Sequence, residues 1–281
     1  MVGRLERRYI VHVPRSHDGK TAIPAVMMLH GGGGTARAAM RETAWTAKAD
    51  EAGFLAVFPE ATGPDPRAPG SFAGNPQTWN DGSGRFHSGS TNVDDAGFIR
   101  ALLDELIARF SVDARRIYVT GFSNGASMAY RVGLELSGRI AAIAPISGHL
   151  WLKDPPPLRP VPLISIAGLA DPLNPPDGGA VRTPGGGVEL RPPLGDSVLR
   201  WSKWNGCPPA PVVIHDADGV RGIVYSPCRQ DSEVAFYTVE GLGHTWPGGG
   251  SLLPERVVGR TSGRLRANDV IWRFFEKHPL R

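Results

Sequence analysis

The sequence predicts an α/β fold with a mostly parallel central sheet flanked by helices, in one domain over residues 1–281. Three observations carry that expectation. Short apolar, β-branched runs alternate with segments of helical period along the chain. Several of these runs stop on glycine or proline, as at His30-Gly31-Gly32-Gly33-Gly34, Pro59 and Gly121. The length of 281 residues is long for one ordinary domain and short for two, and no repeat or linker divides it.

Residues 9–13 read as a strand, and 25–29 (AVMML) as a buried strand ending at the glycine run. Residues 40–52 read as one helix and 54–58 as a strand closed by Pro59. The strongest helix covers 95–110, with Ile99, Leu102, Leu103, Leu106 and Phe110 on one stripe. A strand at 116–120 runs into Gly121, and a helix follows at 124–136. Strands at 141–146 and 163–167, a short helix at 197–204 and a strand at 234–239 complete the alternation. A final helix spans 269–277, with Val270, Ile271, Phe274 and Phe275 inward. Two stretches lack periodicity, 62–92 and 172–194. Loops this long in a compact domain are usually functional or disordered, and both follow strand ends on the edge that carries sites in open α/β sheets.

Composition narrows the function. With 41% hydrophobic and 21% charged residues the chain is globular, and 36 glycines and 26 prolines imply many turns. No apolar run approaches the roughly 20 residues of a membrane helix, so no span is expected. The net charge is +4 and the pI about 9.3, but the 31 basic residues are dispersed among 27 acidic ones. A nucleic-acid partner is therefore not expected. Met1 to Arg8 contains no apolar h-region, which reads as a cytosolic protein or an exported one whose leader has been removed. Cys207 and Cys228 are too few for a four-ligand zinc site and lack Cys-x-x-Cys spacing. They are either two buried thiols or one disulfide closing a loop of about 20 residues, which favours export.

Gly121-Phe122-Ser123-Asn124-Gly125 matches G-x-S-x-G between a predicted strand and a predicted helix, where a nucleophile elbow sits. The glycines admit a strained, tightly packed turn, and the helix N-terminus behind Ser123 favours negative charge there. A serine needs a base, and the acid and histidine are expected later in the chain. Asp171 follows the 163–167 strand and His244 follows the 234–239 strand, both on glycine-rich turns. Asp177 and Asp231 are rival acids. His30 reads as a brace for the glycine run. His12, His17, His215 and His278 lack matching context, while His87 and His149 lie near the site edge. The Gly31–Gly34 run offers backbone N–H groups for an oxyanion hole, with the Asn124 N–H as the other half. No Gly-Lys-Ser/Thr follows it, which sets aside a phosphate loop. No metal or dinucleotide motif appears, so no metal and no organic cofactor is expected. Asp95, before the strongest helix, reads as an N-cap.

Together these segments resemble a known family: LHGGGG (29–34), TWND (78–81), VDDAGF (93–98), RIYVTGFSNGASMAY (116–130), AAIAPISG (141–148), GLADPLNPPDGG (168–179) and GLGHTWPGG (241–249). The chain is similar to the polyhydroxybutyrate depolymerases and feruloyl esterases, nearest the LpqC-like branch. The resemblance implies an α/β-hydrolase fold and serine ester hydrolysis through Ser123, Asp171 and His244. It implies oxyanion donors at Gly32 and Asn124, Trp246 lining the acyl pocket, and a Cys207–Cys228 bridge. It also implies a secreted or periplasmic protein. Two departures stand out: the secretion signal usual in relatives is absent here, and residues 81–85 lack the cysteine many of them carry. The loop holding Trp79 is therefore expected to be shaped differently. Trp246 and Trp79 read as aromatic walls for a phenolic or polymer ester, and the other tryptophans as core. Acyl transfer through the same acyl-enzyme is the alternative chemistry. A non-catalytic binding module is disfavoured by an intact Ser, Asp and His in context.

Overall fold

Continuous apolar runs such as Ala-Val-Met-Met-Leu and Leu-Ile-Ser-Ile-Ala are strands covered on both faces. The computed structural model describes residues 5–153, 155–183 and 186–281. In chain order the strands are β1 (Tyr9–His12), β2 (Ile23–Leu29), β3 (Leu55–Pro59), β4 (Val112–Phe122), β5 (Ala142–Ile146), β6 (Leu163–Gly168), β7 (Gly179–Arg182), β8 (Val188–Arg191), β9 (Val212–Ala217), β10 (Val220–Tyr225) and β11 (Val234–Val239). The helices are α1 (Ala36–Thr43), α2 (Trp45–Ala52), α3 (Phe86–Ser90), α4 (Asp95–Arg109), α5 (Asn124–Glu135), α6 (Leu194–Trp204), α7 (Glu255–Val258) and α8 (Ala267–Glu276).

Nine strands form one sheet in the order β1-β3-β2-β4-β5-β6-β11-β10-β9. The six from β3 to β11 are parallel, and β1, β10 and β9 are antiparallel additions at the edges. Side chains alternate between two cores. Ala25, Met27 and Leu29 of β2 join Leu102 of α4, Met128 of α5 and Trp201 of α6 on one face. Val26 and Met28 join Trp45 of α2 and Ile271 and Phe275 of α8 on the other. Tyr118 stacks on Phe275 at 4.6 Å and Phe54 on Trp272 at 4.4 Å. Each such fully buried apolar side chain stabilises the fold by about 1.5–3 kcal/mol.

Three expectations change. The helix over 40–52 is two helices, broken at Ala44, whose φ of 53° is left-handed. The break frees the Glu42 carbonyl to accept the Gly250 N–H at 2.9 Å. The N-cap of α4 is Asp94, whose carboxylate accepts the Gly97 N–H at 2.8 Å, rather than Asp95. Asp95 is buried one residue further in, where it pairs with Arg7 at 2.6 Å and accepts the Asn80 N–H at 2.7 Å. The aperiodic stretch 172–194 contains the β7–β8 hairpin, although Pro184 and Gly185 at its tip lie outside the described residues. Arg191 of that hairpin donates to Asn174 Oδ1 at 3.0 Å, pinning it beside the turn after β6.

Cys207, just past α6, and Cys228, before β11, are bridged across 21 residues of sequence. The bridge lies before the start of β11, toward the N-terminal edge of the parallel strands. Replacing both cysteines by serine is expected to lower unfolding free energy by about 3 kcal/mol. Urea titration checks this.

Candidate active site

Every chemically interesting turn leaves the C-terminal edge of the parallel strands. The glycine run follows β2, Ser123 follows β4, Asp171 lies beyond β6 and His244 beyond β11. Ser123 has φ 55° and ψ −119°, a conformation that costs on the order of 1–3 kcal/mol and is held by its surroundings. Its N–H donates to Ile146 O at 3.0 Å. The next residue but one must be small, because a Cβ on Gly125 would lie 2.2 Å from Leu29 O and 2.4 Å from His30 O. The start of α5 therefore rests on the end of β2, and a Cβ at Gly31 would come within 3.4 Å of Ser123 Cβ.

Asp171 and His244 are brought together directly. His244 Nδ1 lies 2.8 Å from Asp171 Oδ2, and both side chains are buried. Asp171 Oδ1 accepts the backbone N–H groups of Leu173 at 2.8 Å and Asn174 at 2.7 Å. Burial alone pushes the carboxyl up. The His244 charge and hydrogen bond and the two N–H groups outweigh it, holding Asp171 below the usual carboxylate range. An ionised Asp171 can only accept, so Nδ1 carries the proton and donates to it, which leaves Nε2 as an acceptor. No hydrogen bond joins the Ser123 hydroxyl to His244 here; the ring of Phe122 packs on the imidazole at 4.7 Å. Of the rival acids, Asp177 is exposed and Asp231 pairs with Arg281 at 2.6 Å.

Among the described residues, the N–H groups of Gly32 and Asn124 have no protein acceptor, whereas Gly33 N–H donates to Gln77 O at 2.7 Å. The Asn124 side chain has a role the sequence reading did not supply. Its Oδ1 accepts the Trp79 N–H at 2.7 Å, and its Nδ2 donates to Trp79 O at 3.1 Å and Asp81 Oδ2 at 2.9 Å. Trp79 is consequently not a substrate wall. It is fully buried, and its indole N–H donates to His30 O at 2.9 Å, so it braces the glycine run from behind. His30 does brace that turn. Its Nδ1 lies 2.8 Å from Gly31 O, and its Nε2 accepts the Ala61 N–H at 3.1 Å.

Trp246 lines a cavity of about 310 Å³ together with the glycine run and His244. Met28, Phe72, Phe122, Leu253 and Val258 supply apolar wall, and Glu42 supplies a carboxylate. Trp246 is held by its indole N–H, which donates to Asn268 Oδ1 at 2.9 Å. His149, placed near the site edge by sequence, is fully buried beside Trp151, and neither ring nitrogen has a partner among the described residues.

Residues 15–175 match the phospholipase/carboxylesterase family. The chain belongs to that family. The putative esterase NocK of Nocardia uniformis subsp. tsuyamanensis is 31% identical over 88% of this chain and 72% of its own length. Feruloyl esterase B of Piromyces equi is 28% identical over 85% of this chain, which spans 42% of that protein. The fold is that of the acetyl xylan esterase from Aspergillus awamori, with a TM-score of 0.61 at 16% identity over 87% of this chain and 91% of that one. This member of the family is a carboxylic ester hydrolase of the α/β-hydrolase type, as the motif resemblance implies.

Two measurements follow from the site's construction. Asn124→Ala leaves the Trp79 N–H buried without a partner and takes a donor from Trp79 O, which keeps the Asp81 N–H at 3.0 Å, so a stability loss of about 1–3 kcal/mol is expected, together with reduced turnover. Denaturant titration and ester assay on the same preparation check it. Burial lowers the His30 pKa to about 4, and burial with Arg191 and Arg85 nearby lowers His149 to about 3. The unfolded chain therefore binds protons that the native state refuses. Stability should be full above about pH 6.5 and fall as pH drops towards 4, by about 3 kcal/mol for His30 alone. His149→Phe should lessen that loss in urea titrations at pH 7 and 4.5.

Proposed function

We propose that this esterase hydrolyses carboxylic esters through an acyl-enzyme on Ser123. His244 Nε2 takes the proton as Ser123 Oγ attacks the ester carbonyl, and Asp171 holds the imidazolium that forms. The N–H groups of Gly32 and Asn124 receive the oxyanion. His244 returns the proton to the leaving alcohol, and water then attacks the acyl-enzyme by the same route in reverse. The single observation that carries this reading is the buried 2.8 Å contact between His244 Nδ1 and Asp171, on the same sheet edge as the strained serine turn. Such a pair fixes one tautomer and one ring orientation, which is what a general base for a serine requires.

For the acyl group we favour an aryl acid of the feruloyl kind over a hydroxybutyrate oligomer. The cavity beside His244 is walled by Phe72, Phe122 and Trp246, flat rings suited to another flat ring. The disulfide supports export to an oxidising compartment, where such esters of plant polysaccharide are met.

Ser123→Ala should reduce turnover of p-nitrophenyl acetate on the order of 10⁴- to 10⁶-fold while leaving the fold intact. A fluorophosphonate probe should add once, on Ser123. Retained turnover in the variant would refute the nucleophile. Methyl ferulate and hydroxybutyrate oligomers, assayed side by side, separate the two acyl classes.

A further inference from the structure

Among the described residues Glu42 is the one carboxylate lining the apolar cavity beside His244, and the proposed mechanism does not use it. It sits in the last turn of α1, half-buried, where the break at Ala44 turns its backbone away from a longer helix. Two contacts fix it against the facing segment. Its carbonyl accepts the Gly250 N–H at 2.9 Å, and its Oε1 accepts the Leu252 N–H at 2.8 Å. Gly249 passes so close that a Cβ there would lie 2.1 Å from the Glu42 carbonyl oxygen. Among the described residues nothing donates to Oε2. Burial pushes the carboxyl up, opposed by the Leu252 N–H and the His244 charge, so it is an incompletely partnered acceptor within electrostatic reach of the imidazole.

We infer that Glu42 is a specificity-determining residue: its Oε2 accepts a hydrogen bond from a hydroxyl carried on the ring of an aromatic acyl group. The inference rests on the aryl-acyl reading above. An apolar, aromatic-walled cavity with one half-partnered carboxylate suits a flat group bearing one donor. A neutral donor suits it better than an ammonium, because His244 becomes cationic during the reaction and a second cation in the same cavity would oppose that charge. A ring without the hydroxyl would displace water from Oε2 and return no hydrogen bond, which is how a polar site rejects a near-isostere.

The test compares kcat/KM for the methyl esters of 4-hydroxycinnamate, 4-methoxycinnamate and cinnamate in the wild type, Glu42→Gln and Glu42→Leu, with thermal unfolding to establish folding. The wild type should prefer the 4-hydroxy ester about 10- to 100-fold. Glu42→Leu should erase the preference. Glu42→Gln, which keeps an acceptor oxygen, should retain part of it and serves if the leucine variant does not fold. An equal preference in all three proteins, or a uniform loss on all three esters, would overturn the inference and make Glu42 a brace for residues 249–253. If the wild type cleaves p-nitrophenyl acetate but no cinnamate, the aryl-acyl reading itself fails. If it cleaves cinnamates without regard to the hydroxyl, only the role of Glu42 fails.

Discussion

The close approach of Gly125 to the carbonyls of Leu29 and His30 is the constraint on which the site depends. It brings the start of α5 against the end of β2, and so sets the serine turn and the glycine run at one height. A side chain at that position would force the two apart by more than an ångström and separate Ser123 from the N–H groups proposed to act with it. The strain in Ser123 is tolerated because both flanks are fixed: its own N–H is tied to β5, and its successor Asn124 is tied to residues 79–81. The long loop after β3 is thus a clamp. It holds the glycine run through Gln77 and Trp79, and is itself held by Asp95 and by Arg131, which donates to Asn80 O at 2.7 Å.

Much of this was legible in the sequence because it rests on local pattern. Apolar runs marked the parallel strands, and residues 234–239 were placed without error. The serine, acid and histidine turns were legible because each follows a strand on glycines that a close turn requires. What escaped were features made by partners distant in sequence. Trp79 looked like a wall because an aromatic residue in a loop carries no mark of what covers it; its indole is claimed by His30, 49 residues away. Asp95 looked like a cap because its counter-ion, Arg7, is 88 residues away. Glu42 drew no notice, since one acid in a helix is ordinary until Leu252 is placed against it.

The β9–β10 hairpin carries a local mark in the sequence. It turns on Asp218-Gly219, with φ of 54° and 73°, between Val212–Ala217 and Val220–Tyr225. An Asp-Gly pair between β-branched runs is a strong local hairpin signal. Electrostatics was the least legible layer. The same residue type is a buried neutral brace at His30, a partnerless core ring at His149 and an acid-bound imidazole at His244. Only burial and neighbours separate them.

The Arg7–Asp95 pair gives the N-terminal segment a part in the site's architecture. Arg7 is almost wholly buried, lies 4.1 Å over the Phe98 ring and also donates to Glu60 O at 3.1 Å. Asp95 passes that anchorage to Asn80, and the 79–81 segment passes it to Asn124. Shortening the chain past Glu6 would strip the counter-charge from a carboxylate already withdrawn from water, and the disturbance would travel through three hydrogen-bonded residues to the start of α5, next to Ser123. For anyone re-engineering this enzyme, the first strand and the residues leading into it are part of the catalytic scaffold. Fusions and trimmed boundaries belong upstream of Arg7.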